Sequence, residues 1–188
     1  MKLSWKKIMA FVASAVLLVT GSASAFSAPL IDSPALMSGR ASALLAEIHK
    51  EAKQLGPHAN TLDTFANNPK LNWQSHVYYL ERVKTHINAI GKHLTELQSI
   101  NDSVLPWQQQ AIREITSHAA QVAQSTQAAI VFGNGNQSSL FAPEYREHLS
   151  NIADSSENMR ESVANFIDYE KTQQKLLQLR HELELAGD

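Results

Sequence analysis

Residues 71–100, LNWQSHVYYLERVKTHINAIGKHLTELQSI, decide how the rest of the chain is read. Leu80, Val83, Ile87, Ile90, Leu94 and Leu97 recur at alternating gaps of three and four, the a/d stripe of a helix that packs along its whole length. One side is apolar and the rest is not, so the stripe needs partner helices to bury it. The flanking chain supplies three. Their expected spans set the fold class: an all-α, elongated, antiparallel up-down-up-down four-helix bundle with coiled-coil-like packing and a long C-terminal helix.

Upstream, Ser33-Pro34 reads as an N-cap and first helical position. Met37, Ala41, Leu44, Ile48 and Leu55 then keep one apolar side until Gly56-Pro57, which predicts helix 1 over 34–55. Residues 57–70 hold two prolines and three asparagines and read as a connection with one short turn near Leu62 and Phe65. Helix 2 spans 72–100, with Asn72 as its cap. Pro106 starts helix 3, over 106–132, where Ile112, Ile115, Ala119, Val122, Thr126 and Ala129 repeat the three-four spacing. Gly133-Asn134-Gly135-Asn136 reads as a break built on positive φ angles. Helix 4 runs from Pro143 to about Leu185, on Tyr145, Leu149, Ile152, Met159, Val163 and Phe166, with Ser156 interrupting the stripe. It is longer than the others can cover, roughly 60 Å against roughly 45 Å for helix 2 at 1.5 Å per residue. Leu176, Leu177, Leu179 and Leu183 lie in that excess and are the candidate interaction residues.

The N-terminus carries a different signal. Lys2, Lys6 and Lys7 precede the apolar run Ile8 to Thr20, and Ala23-Ser24-Ala25 follows in the small-x-small pattern of a secretory cleavage site. The reading is a signal peptide over 1–25, a flexible arm over 26–33 and a single helical domain over 34–188. An apolar run this short falls below the ~20 residues of a spanning helix, so the mature form is expected to keep no membrane span and to be periplasmic or secreted. Cleavage removes three lysines and no acid, taking the formal charge from −2 to −5. Nucleic acid is a poor partner for such a chain, since phosphate binding relies on clustered Lys and Arg. The chain has no cysteine, which excludes disulfides, a thiol nucleophile and c-type haem attachment, and leaves packing alone to hold the fold.

All eight histidines fall in the mature part, and imidazole is the commonest metal ligand. His86 and His93 follow Tyr79 at intervals of seven along one edge of the helix 2 stripe, and His118 takes a comparable flanking place on helix 3. These three are the metal candidates. Against them stands spacing: helical metal sites pair ligands three or four apart, and no Glu-x-x-His, His-x-x-His or His-x-x-x-His occurs. Solvated or structural histidines are the simpler reading. Met37 and His181 would share one end of an up-down-up-down bundle, the placement by which four-helix b-type cytochromes hold haem. Only two residues and a helix order carry that likeness, so no cofactor is expected. Trp73, Tyr78, Tyr79, Trp107 and Tyr145 come near helix ends, where aromatic rings plug a bundle or line a cleft. No H-E-x-x-H, glycine-rich phosphate loop or recognisable Ser-His-Asp setting is present, so an enzyme is not expected. The leading reading is a protein-protein interaction or self-association module that uses the C-terminal helix. The runner-up is a small-ligand, metal or haem-binding bundle of sensory or cytochrome type.

Overall fold

A computed structural model describes residues 33–186 apart from 67 and 69. The expected signal peptide and residues 26–32 of the arm lie outside the described residues. The described residues form one compact unit. Within it run four helices, α1 (Pro34–Phe65), α2 (Trp73–Ser99), α3 (Pro106–Gly135) and α4 (Pro143–Ala186), with a single 3-10 turn at Asn101–Ser103. The described residues contain no strand. Among them no helix is long and apolar enough to cross a membrane. α1 packs on α2 and α4, α3 packs on α4 and α2, and α1 barely meets α3, so the helices ring one core to which all four contribute.

The largest departure from the sequence reading is in α1. It does not stop at Gly56-Pro57 but continues through Pro57 to Phe65. The physical reason is a buried stripe of Ala41, Leu45, Ile48, Ala52, Leu55, Ala59, Leu62 and Ala66, spaced four and three without a break. A proline inside a helix costs roughly 3 kcal/mol, whereas fully burying one leucine returns about 1.5–3 kcal/mol. Carrying Leu62 and the close-packed Ala59 and Ala66 into the core offsets that cost. Pro57 itself faces solvent, and its carbonyl accepts from Thr61 Oγ1 at 2.8 Å.

α2 starts as its residues dictate, with Asn72 Oδ1 accepting from the Ser75 amide at 3.0 Å. Its buried set is Trp73, His76, Leu80, Val83, Ile87, Ile90, Leu94 and Leu97. α3 runs three residues past the expected end, and neither Gly133 nor Gly135 adopts a positive φ. Gly133 serves a close approach instead: a Cβ there would lie 2.1 Å from Cζ3 of Trp73. The glycine removes a side chain so that the indole of α2 can lie against the backbone of α3.

α4 contains 44 residues against 27 for α2, roughly 66 Å against 40 Å. Tyr145, Leu149, Ile152, Ser156, Met159 and Val163 are buried, and Phe166 and Ile167 are half-buried. Ser156 breaks the apolar stripe without an orphaned hydroxyl, because its Oγ donates to the Ile152 carbonyl one turn back. Thr126 of α3 does the same to Val122 at 2.7 Å. From Lys171 to Leu185 every residue of α4 is exposed.

Candidate functional site

The two ends of the helix ring are built differently. One end is filled by rings from all four helices: Phe65 of α1, Trp73 and His76 of α2, Phe132 of α3 and Tyr145 of α4. Tyr145 lies 5.5 Å from Phe132 and 6.5 Å from Trp73 between ring centroids, and Phe65 meets His76 edge-on at 5.3 Å. Tyr145 is 0% exposed and His76 1% exposed, and Tyr145 Oη lies 3.0 Å from His76 Nδ1. A buried phenol must place its hydrogen, and Nδ1 is its partner here. The phenol therefore donates, and the imidazole is neutral with its proton on Nε2. Burial pushes the His76 pKa down and the Tyr145 pKa up, which keeps both groups uncharged near neutrality. Beside this pair a cavity of about 160 Å³ is lined by His76, Phe65, Asn68, Gln137, Ser138 and Phe141 among others.

A polar seam runs from this end along α1 and α2. His86 Nδ1 lies 2.8 Å from Glu51 Oε2, and the His86 ring stacks on His58 at 5.6 Å. Desolvation, with His86 and Arg82 nearby, lowers the His58 pKa. His93, two turns on from His86, shares that side of α2 by helical period. His118 lies elsewhere: Glu114 and Gln121, one turn to either side of it, bond Ser162 at 2.6 Å and Ser155 at 3.4 Å on α4. The three metal candidates thus divide between the α1/α2 seam and the α3/α4 seam. His93 and His118 each keep a buried Nδ1 without a hydrogen-bond partner. Among the described residues no group of three or more His, Cys, Asp or Glu is placed to hold a metal ion.

At the other end the filling is polar. Gln108, fully buried, donates to the Ser38 carbonyl at 2.9 Å and to Ser42 Oγ at 3.1 Å, and accepts from the Leu105 amide at 3.1 Å. Ser42 in turn donates to Glu170. Trp107 is half-buried against the core and meets Tyr169 at 5.6 Å between ring centroids. Past this point α4 is bare. Leu176 is 56% exposed, Leu177 64%, Leu179 45% and Leu183 74%. At about 100° per residue, Leu177 continues the side that faces the core. Leu176, Leu179 and Leu183 lie between a third and a half of a turn away from it. With Tyr169 and Thr172 they repeat at gaps of three and four, a second stripe on a different side of the same helix.

Met37 is half-buried against the core, while His181 is exposed on the bare part of α4. His76 is legible as a core residue, since it sits at the stripe position between Trp73 and Leu80, but sequence spacing holds no hint of Tyr145 as its partner 69 residues away. Compared with known proteins, the chain matches no family model, no curated protein and no solved structure.

Proposed function

We propose that this chain is an exported, non-enzymatic, antiparallel up-down-up-down four-helix bundle that acts in the periplasm as a protein-protein interaction or self-association module. The observation that carries the reading is the bare run Lys171 to Leu185, in which Leu176, Leu179 and Leu183 are turned away from the side of α4 that packs in the bundle and Leu177 continues that side with no partner helix against it. A helix with no partner has no reason to hold a regular apolar stripe in water, and exposed apolar rows of this kind mark interaction surfaces. The antiparallel arrangement is supported by cross-helix pairs. Phe65 with Tyr79, Glu51 with His86 and Arg40 with Glu96 fall in opposite numerical order on α1 and α2. Phe132 with Tyr145, Gln121 with Ser155 and Trp107 with Tyr169 do so on α3 and α4. Export rests on the sequence of residues 1–25. Sedimentation of residues 26–188 and of the same chain ended after Glu170 tests the module: the mass or partner-bound fraction should drop with the truncation, and identical behaviour of the two would count against it.

A second reading, a small-ligand bundle, is favoured by one observation, the cavity beside His76. Its size suits a ligand of about benzene dimensions. The Nε2 proton of His76 and the nearby Asn68 and Gln137 favour a ligand that carries a carbonyl or carboxylate acceptor. Thermal shift with small aromatic carboxylates, compared between the unaltered protein and Phe141→Ala, tests it; no stabilisation by any of them would set it aside.

A further inference from the structure

We infer that the bare part of α4 pairs with the same part of a second copy in antiparallel orientation, an inference that rests on the interaction reading above and commits it to one occupant. The stripe Tyr169, Thr172, Leu176, Leu179 and Leu183 is self-complementary when reversed about the Leu177–Gln178 peptide bond: Leu176 of one copy then falls level with Leu179 of the other, and Leu183 with Thr172. Charge order selects the direction. Lys171 and Lys175 lie towards the bundle, and Glu182 and Glu184 lie towards the C-terminus. Reversal brings Lys175 beside Glu182 of the other copy, and the two-fold axis repeats the pair. A parallel pairing in the same stripe would set Lys175 against Arg180 of its neighbour, like against like, and would crowd both bundles at one end. Lys175 and Glu182 make no ion pair within the chain among the described residues, Glu182 accepting from Gln178 Nε2 at 2.9 Å, so their charges are available for this.

Size decides the strength expected. About fifteen residues per copy with three leucines in the seam give an interface at or below the ~1,200 Å² lower bound of stable complexes. The pairing should therefore be concentration-dependent and not permanent. The far end of each copy reaches the base of the other's overhang, where Tyr169 is 45% exposed and backed by Trp107. That covers an apolar ring left open by the polar filling of Gln108, Ser42 and Glu170.

The test is sedimentation equilibrium of residues 26–188 over a hundredfold concentration range, with four variants whose changes lie at exposed positions. Expected are a monomer–dimer equilibrium, its loss in L176E/L179E/L183E and after truncation at Glu170, weakening of at least severalfold in K175E, and recovery in K175E/E182K. A dimer strengthened by K175E overturns the antiparallel direction, because the new carboxylate at position 175 would then meet Arg180 in the parallel pair. A dimer that survives the triple change but is lost on truncation overturns this stripe and leaves the overhang as the association element. A dimer that survives truncation overturns both this pairing and the interaction reading. A monomer at every concentration overturns the self-pairing alone, leaving a different protein as the overhang's partner.

Discussion

At the aromatic end of the bundle each of the four helices contributes a ring, and the one polar pair, His76 with Tyr145, is closed on itself by a hydrogen bond. The opposite end is closed by a network centred on Gln108, and one helix simply runs on past it. The difference separates two tasks. Burial that holds a fold together accumulates where no surface is left over, whereas apolar surface that the fold does not use is free for recognition. Substitutions at the first end should read out in stability and those at the second in association.

The largest expected effect is Trp73→Ala, which empties the space between Gly133 and Tyr145. A loss of about 3–5 kcal/mol is typical for such a deletion, so chemical denaturation should show a much lower midpoint. Gly133→Ala attacks the same contact from the other side: its Cβ would lie 2.1 Å from the indole, and the overpacking should cost about 1–3 kcal/mol or more. In Trp73→Ala the glycine substitution should become nearly neutral, a coupling that a double-mutant cycle measures directly. Tyr145→Phe leaves His76 Nδ1 buried without its donor and should cost about 1–3 kcal/mol, with little change in helicity.

Acid should act on the aromatic end and the histidine seam before it acts on the overhang. Burial holds His76, His58 and His49 below the ordinary imidazole value, so the unfolded chain takes up protons first. Stability is then full above about pH 6.5 and falls as the pH drops through that value towards the folded-state pKa values. Melting temperature measured from about pH 7.5 down to about pH 5 should decline, and a rise over that range would contradict the assignment. The smallest effect belongs to the open end. Leu183→Ala should shift unfolding of the monomer by no more than about 0.5 kcal/mol, as exposed substitutions do, while lowering any association.

α2 is legible from residue spacing because large aliphatic side chains fall at nearly every core position, and the first half of α4 because Tyr145, Leu149, Ile152, Met159 and Val163 keep the period across the buried serines. α1 is not, for a physical reason: Ala41, Ala52, Ala59 and Ala66 alternate with larger residues in its stripe. Alanine carries little hydropathy signal even where it is fully packed, so the visible Gly56-Pro57 outweighs a stripe that runs straight across it. Gly133 misleads in a similar way, since a glycine that makes room for an indole and one that supplies a positive φ look alike in sequence. The overhang is legible from length alone. That Leu176, Leu179 and Leu183 occupy a different side of α4 from the core residues is also contained in the sequence, but only once Val163 and Phe166 are known to face the bundle can the rotation be measured. The His76–Tyr145 pair depends on bringing together residues from α2 and α4, which no local pattern encodes.

Amide hydrogen exchange along α4 tests the central claim most directly, because one continuous helix is held to be packed in its first half and bare in its second. In dilute solution, slow exchange is expected from about residue 146 to residue 166 and fast exchange from Lys171 onward, with the second half slowing as concentration rises. Uniform protection along the whole of α4 at the lowest concentration would contradict the account.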